Sequence, residues 1–149
     1  MTQTMMPATD PEVRRTGIGG SDASAVLGVS RWRTPLQLYL EKTGLVDGRI
    51  AENEAMEWGK ILEPTVLEQY AVRSAQVVTG RNLDGDIVAW SPEGTLMDPP
   101  TDAEALMGTL RHESHPHMMC HLDGVATDIV TDEVVGIIEA KTSLSKYLP

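Results

Sequence analysis

The sequence predicts an α+β domain. Two observations lead there. Helix signals come first along the chain and strand signals follow them, rather than alternating. The length and composition, 149 residues of which 41% are hydrophobic, are those of one globular domain. No apolar run approaches the roughly 18 residues of a membrane helix, so no membrane partner is expected. The start, Met1 to Val13, lacks the basic and apolar regions of a secretory signal. Cys120 is the lone cysteine, which excludes an internal disulfide and suits a reducing cytosol. Phe is absent, so the core is expected to rest on Leu, Val, Ile, Met and three Trp. Twelve basic against 22 acidic side chains give a net charge of −10. That balance argues against a general polyanion binder. It leaves room for a nucleic-acid enzyme whose positive charge comes from metal ions.

The elements follow in order. Residues 1–13, with Pro7 and Pro11, read as a flexible tail, and 14–149 as a single domain. Arg14 to Gly20 is a glycine-rich loop. Ser21 is an N-cap, and Ser21 to Gly28 reads as a short helix closed by the glycine. Thr34-Pro35 starts a second helix through Leu36, Leu38, Tyr39 and Leu40, which Gly44 stops. The longest helical pattern runs from Glu52 to about Ala75, with Met56, Gly59, Leu62, Val66, Leu67 and Tyr70 at three- and four-residue steps. Pro64 inside it is expected to kink it or begin a new helix. Gln76 to Thr79 and Asp86 to Trp90 are short strand candidates. Residues 82–110 hold six carboxylates and no Lys or Arg, and read mostly as an acidic surface loop or insertion. Two strands end the pattern, Cys120 to Val130 and Val134 to Thr142, joined by a turn at Thr131 to Glu133.

The chemistry gathers on the last strand. Side chains on a strand alternate faces, so Ile137, Glu139 and Lys141 share one face while Ile138 and Ala140 share the other. Glu139 and Lys141 read either as a surface ion pair at a strand end or as part of a site. Asp123 weighs toward a site. A hairpin through Thr131 to Glu133 brings it to the same end as Glu139 and Lys141. Carboxylates that close raise each other's pKa unless a cation sits between them. Hard divalent cations such as Mg²⁺ take oxygen ligands of this kind. Glu63 is a third carboxylate, on the apolar side of the long helix. It is either a metal ligand delivered from the helix or, if Pro64 twists it, a solvated side chain. Such a set points to phosphodiester hydrolysis, with Lys141 orienting or deprotonating water.

The pattern Asp123, then Glu139-Ala140-Lys141, resembles the signature of the PD-(D/E)XK nuclease superfamily. The longer series is more specific: Arg15-Thr16-Gly17-Ile18-Gly19-Gly20-Ser21-Asp22, Leu27-Gly28, Thr34-Pro35-Leu36, Glu57-Trp58-Gly59-Lys60, Leu62-Glu63-Pro64, His115-Pro116 and Leu122-Asp123-Gly124. This run, over roughly Arg14 to Thr142, resembles the YqaJ-like viral recombinase family, relatives of phage lambda exonuclease. The resemblance implies a restriction-endonuclease-like core, with N-terminal helices packed on a mixed β-sheet. It implies a Mg²⁺-dependent (or Mn²⁺-dependent) 5′-to-3′ exonuclease on double-stranded DNA ends, serving a single-strand annealing protein. It further implies a trimeric ring and a cytoplasmic setting in a bacterial host, with phage or prophage origin. By position, Glu63, Asp123, Glu139 and the carbonyl of Ala140 are the metal ligands. Asp123, Glu139 and Lys141 are the catalytic residues. Arg14 or Arg15, with Ser21, holds the 5′-phosphate, in keeping with the anion affinity of a helix start. The glycine-rich loop by itself reads equally well as a helix-capping turn.

The chain ends eight residues after Lys141, where the family pattern continues with a helix and a strand. The expectation is a fragment or a natural truncation lacking those core elements. Two other readings therefore stay open: a defective nuclease-like module that binds DNA ends, and a restriction or repair endonuclease of the same superfamily. His112, His115, His117, Cys120 and His121 are zinc-capable types, but their spacing matches no structural zinc pattern. Trp32 and Trp58 read as core or interface. Arg31 and Arg33 read as DNA-backbone contacts or as a solvated helix approach.

Overall fold

The computed structural model describes residues 11–48 and 53–141. In chain order its elements are α1 (Pro11–Arg15), α2 (Ala23–Val26), α3 (Pro35–Lys42), α4 (Glu54–Ser74), β1 (Val77–Arg81), β2 (Ile87–Trp90), β3 (Leu96–Met97), α5 (Thr101–Leu106), β4 (Leu110–Arg111), β5 (Met119–Cys120), β6 (Gly124–Thr127) and β7 (Val134–Ile138). The protein is α+β, as the order of signals predicts. The chain forms two compact units, one of residues 1–51 and 108–121, the other of residues 52–107 and 122–149. The expected tail up to residue 10, residue 52 at the helix start and everything from Thr142 onward lie outside the described residues. Pro11 to Val13, also assigned to the tail, are helical in α1. Among the described residues no helix is long and apolar enough to cross a membrane.

In the first unit, α3 starts as its sequence dictates. The Thr34 hydroxyl accepts the Gln37 N–H at 3.2 Å, and the Gln37 side chain accepts the Thr34 N–H at 2.8 Å, closing a capping box ahead of Pro35. Gly28 and Gly44, with φ of 71° and 74°, take the left-handed conformation that ends each helix. Ser21 is not a cap. It sits inside a 3₁₀ turn, Gly20–Asp22, and the carboxylate of Asp22 accepts the Gly19 N–H at 3.0 Å instead. Asp22 is buried and is bonded by Arg33 at 2.5 Å and Lys42 at 2.7 Å, while Arg33 also reaches Glu41 at 2.7 Å. Burial alone would raise the Asp22 pKa. The bonds from Lys42, the Gly19 N–H and Arg33 outweigh it and hold the carboxyl below its ordinary value. Arg33 is thus an ion-pair partner within the fold, not a solvated approach residue. The hairpin β4–β5 completes this unit and bonds to the glycine-rich loop through Ile18.

In the second unit a sheet in the order β3-β2-β1-β6-β7 lies between two helices. Every pairing among its described strands is antiparallel, so the parallel component of a mixed sheet is not among them. On one face Leu67 and Ala71 of α4 pack against Val78 and Trp90, with Val88 and Ile138 at the margin. On the other, Ala103 and Met107 pack against Val125, with Ile87, Leu106 and Leu122. Alternation explains the division, since Ile87 faces one cluster and Val88 the other.

Several expectations need correction here. Residues 82–110 are not loop throughout: between their turns they supply β2, β3 and α5, and Ala103 and Met107 bury fully behind the acidic side chains that face water. Pro64 does not begin a new helix; α4 runs unbroken for 21 residues from an Asn53 cap. Of the apolar positions expected inward on α4, Leu67 is buried, whereas Met56, Leu62, Val66 and Tyr70 are each about 40% exposed. Trp32 (87% exposed) and Trp58 (52%) are not core residues; Trp90 alone of the three is. The predicted strand from Cys120 divides into β5 and β6, which belong to different sheets.

Leu67 is the largest fully buried side chain and joins helix to sheet. Leu67→Ala is expected to cost about 3 kcal/mol, read by urea unfolding of the second unit's signal. A loss under about 1 kcal/mol would mean that α4 is not anchored there.

Candidate active site

The site is built from α4 and the ends of two strands. Gly80 of β1 and Gly124 of β6 are register partners. A Cβ on either would collide with Leu67, at 2.8 Å in the case of Gly124. The missing side chains therefore admit Leu67 against the sheet. Glu63 precedes Leu67 by one helical turn and shares its face. It is half-buried, not turned out to solvent by Pro64.

Register assembles the strand residues. Gly124 pairs with Ile138, so Asp123, just before the one, and Glu139, just after the other, sit at the same end of the hairpin. The Asp123 carboxylate accepts the Ala140 N–H at 2.8 Å, which fixes it beside the end of β7. The Lys141 ammonium bonds the Glu139 carboxylate, and both side chains are largely exposed.

The electrostatics show that these groups share one field. Burial raises the Glu63 pKa first, then the charges of Asp123 and Glu139 raise it further, against smaller opposing effects of Lys141 and Arg81. Burial also raises Asp123, partly countered by its Ala140 hydrogen bond, with Glu139 adding repulsion. The bond to Glu139 raises Lys141. Glu63, Asp123, Glu139 and Lys141 are thus brought together as the sequence pattern expects.

The donor chemistry fits a hard divalent cation: carboxylate oxygens, two of them half-buried and repelling one another, with the Ala140 carbonyl adjacent. As the side chains stand, no three His, Cys, Asp or Glu groups among the described residues close around a single point. Glu139 is instead engaged by Lys141. Sequence reasoning missed Arg81. Its signal is register: continuing the Gly80–Gly124 pairing by one residue puts Arg81 across from Asp123.

Arg14, Arg15 and Ser21 lie in the other unit and are exposed. Arg15 pairs with Glu12 at 3.0 Å, and the Arg14 carbonyl accepts the Lys42 ammonium at 2.6 Å. At the turn before Ser21, the Asp22 carboxylate takes the Gly19 N–H. The rings of His112, His115 and His117 follow one another at 5.1 and 5.9 Å, and His121 bonds the Thr109 hydroxyl at 2.9 Å.

Comparison with known proteins adds the following. Residues 11–148 match the YqaJ-like viral recombinase domain. An uncharacterized protein YqaJ of Bacillus subtilis (strain 168) is 46% identical over 65 residues. That match covers 44% of this chain and 20% of the relative, so the chain aligns with about a fifth of the relative's length. No solved structure matches.

The raised Glu63 pKa sets a sign. A carboxyl whose folded value exceeds its unfolded one loses stability as pH rises from the unfolded value, about 4.5, through the folded one. Glu63→Gln is therefore expected to raise the melting temperature at pH 7 without divalent ions, and the gain should shrink toward pH 4. An equal difference at both pH values would refute the shared field.

Proposed function

The chain belongs to the YqaJ-like viral recombinase family, and from that premise we propose that it is a metal-dependent deoxyribonuclease. In its specific form it is an exonuclease digesting double-stranded DNA ends 5′-to-3′. A restriction-endonuclease-like core, a single-strand annealing partner and a trimeric assembly belong to the same reading. The observation that carries it is the convergence of Glu63, Asp123, Glu139 and Lys141 at one end of the β6–β7 hairpin.

Glu63, Asp123, Glu139 and the carbonyl of Ala140 would hold Mg²⁺ or Mn²⁺. When bound, such an ion supplies positive charge against the attacked phosphate and acidifies water. The chain's own residues supply the rest. The Ala140 N–H orients the Asp123 carboxylate, leaving its second oxygen available. Lys141 carries a flexible ammonium at the exposed edge of the group, where it can orient the attacking water and balance negative charge. Its proton is held while Glu139 accepts it, so a turn of Glu139 toward a cation would also free the lysine. Coulomb repulsion among the carboxylates opposes that turn until a cation offsets it.

The test is digestion of linear, 5′-phosphorylated duplex in Mg²⁺. Asp123→Ala and Lys141→Ala should each slow it at least about a hundredfold, and a covalently closed circle should survive. Both variants digesting at the parent's rate would end the reading. Cutting of the circle would make the enzyme an endonuclease, and binding without digestion would make it an end-binding module. Mg²⁺ should also raise the melting temperature of the parent and not of Asp123→Asn, since an ion held only by the folded state stabilises it.

A further inference from the structure

We propose that Arg111, on β4 beside the glycine-rich loop, is a phosphate-binding residue that contacts the phosphate oxygens of DNA. The proposal rests on the reading of this chain as a DNA enzyme. It starts from how the cations are spent. Arg33 and Lys42 share Asp22, Arg15 lies on Glu12, and Lys141 lies on Glu139, so carboxylates cancel those charges. Two guanidiniums are held by neutral oxygens instead. Arg81 is half-buried and donates to the carbonyls of Gly85 and Met107, both at 2.9 Å, which is a tie within the fold. Arg111 is exposed. It donates to the Pro116 carbonyl at 2.8 Å and to the Thr16 hydroxyl at 2.5 Å.

The placement is fixed by main chain on both sides. The Ile18 N–H donates to the His117 carbonyl at 2.6 Å, and the Met119 N–H donates to the Ile18 carbonyl at 3.0 Å. The Thr16 hydroxyl donates to the Val13 carbonyl at 2.7 Å, so toward Arg111 it is an acceptor. The guanidinium is therefore pinned to the loop that leads from Arg14 and Arg15 to Ser21. Two of its five N–H donors are occupied, and the rest remain for a ligand. Glu113 is the one carboxylate in the sequence between Leu110 and Cys120, where His112, His115 and His117 also lie. A planar guanidinium held in place loses little entropy on binding a pair of phosphate oxygens.

The experiment is fluorescence anisotropy on the full chain in an Asp123→Asn background with Mg²⁺, using a blunt duplex across a series of KCl concentrations. Each phosphate contact contributes about 0.9 to the slope of log affinity against log salt. Arg111→Gln is expected to lower the slope by about 0.9 and to weaken binding, and Arg111→Lys to restore the slope, since slope counts charge. A purely structural tie would lower the melting temperature and leave the slope alone, and that outcome overturns the proposal. So does a slope that falls in Arg111→Gln and stays low in Arg111→Lys. Duplexes with 5′-phosphate and with 5′-hydroxyl ends, and inorganic phosphate as competitor, separate a terminal phosphate from internal phosphodiesters; loss confined to the first assigns the terminal group. If the parent does not digest DNA yet the slope depends on Arg111, the nuclease reading fails and this one stands. If the parent binds no duplex at any salt, both fail.

Discussion

Everything in the second unit depends on one close approach, that of Leu67 to a pair of glycines. Gly80 and Gly124 face each other across β1 and β6, and the absence of Cβ atoms there lets α4 sit low on the sheet. Closeness of helix and sheet has a chemical consequence. It brings Glu63, on the same helical face as Leu67, into the field of Asp123 and Glu139 at the sheet's end. A larger residue at either glycine would lift the helix and disperse the carboxylates. Packing thus sets the electrostatics of the site.

The second constraint is strand register. A slip of one residue in the β6–β7 hairpin would turn every side chain to the opposite face. The turn prevents it. The Asp128 carboxylate accepts the N–H groups of Val130 and Thr131 at 2.8 and 2.9 Å, and Asp132 takes a positive φ of 57° to complete the reversal. The Asp128 N–H donates to the Glu133 carbonyl at 2.9 Å. Pairing then runs to Gly124 and Ile138, with one irregularity near Thr127, and delivers Asp123 and Glu139 together. The turn between the two acids in sequence therefore decides that they meet.

Charge management differs between the units. In the first, Asp22 is an acid surrounded by Arg33, Lys42 and a backbone N–H, and it is held ionised. Those charges satisfy each other and stabilise a small, poorly buried set of helices. In the second, acids are set against acids, and the ammonium of Lys141 beside them is exposed and paired with Glu139. The first arrangement is closed, whereas the second is open to a cation.

The sequence by itself determined the α+β order, the start and stop of α3, and the meeting of Asp123 with Glu139 and Lys141. These rest on local physics: capping side chains, left-handed glycines, and the period of a strand next to a turn. Tertiary structure alone decided the rest. Ser21 looked like a cap, but Asp22 wins because two cations elsewhere in the chain fix its carboxylate in place. Residues 82–110 looked like solvent-exposed loop because their acids dominate the composition, yet Ala103 and Met107 face a sheet that only long-range pairing creates. Trp32 and Trp58 read as core or interface, and their exposure in the fold removes the first alternative. Arg81 and Arg111 were silent in the sequence because what distinguishes them is the neutrality of their partners, and in each case one partner, Met107 or Thr16, is brought in from a distant part of the chain.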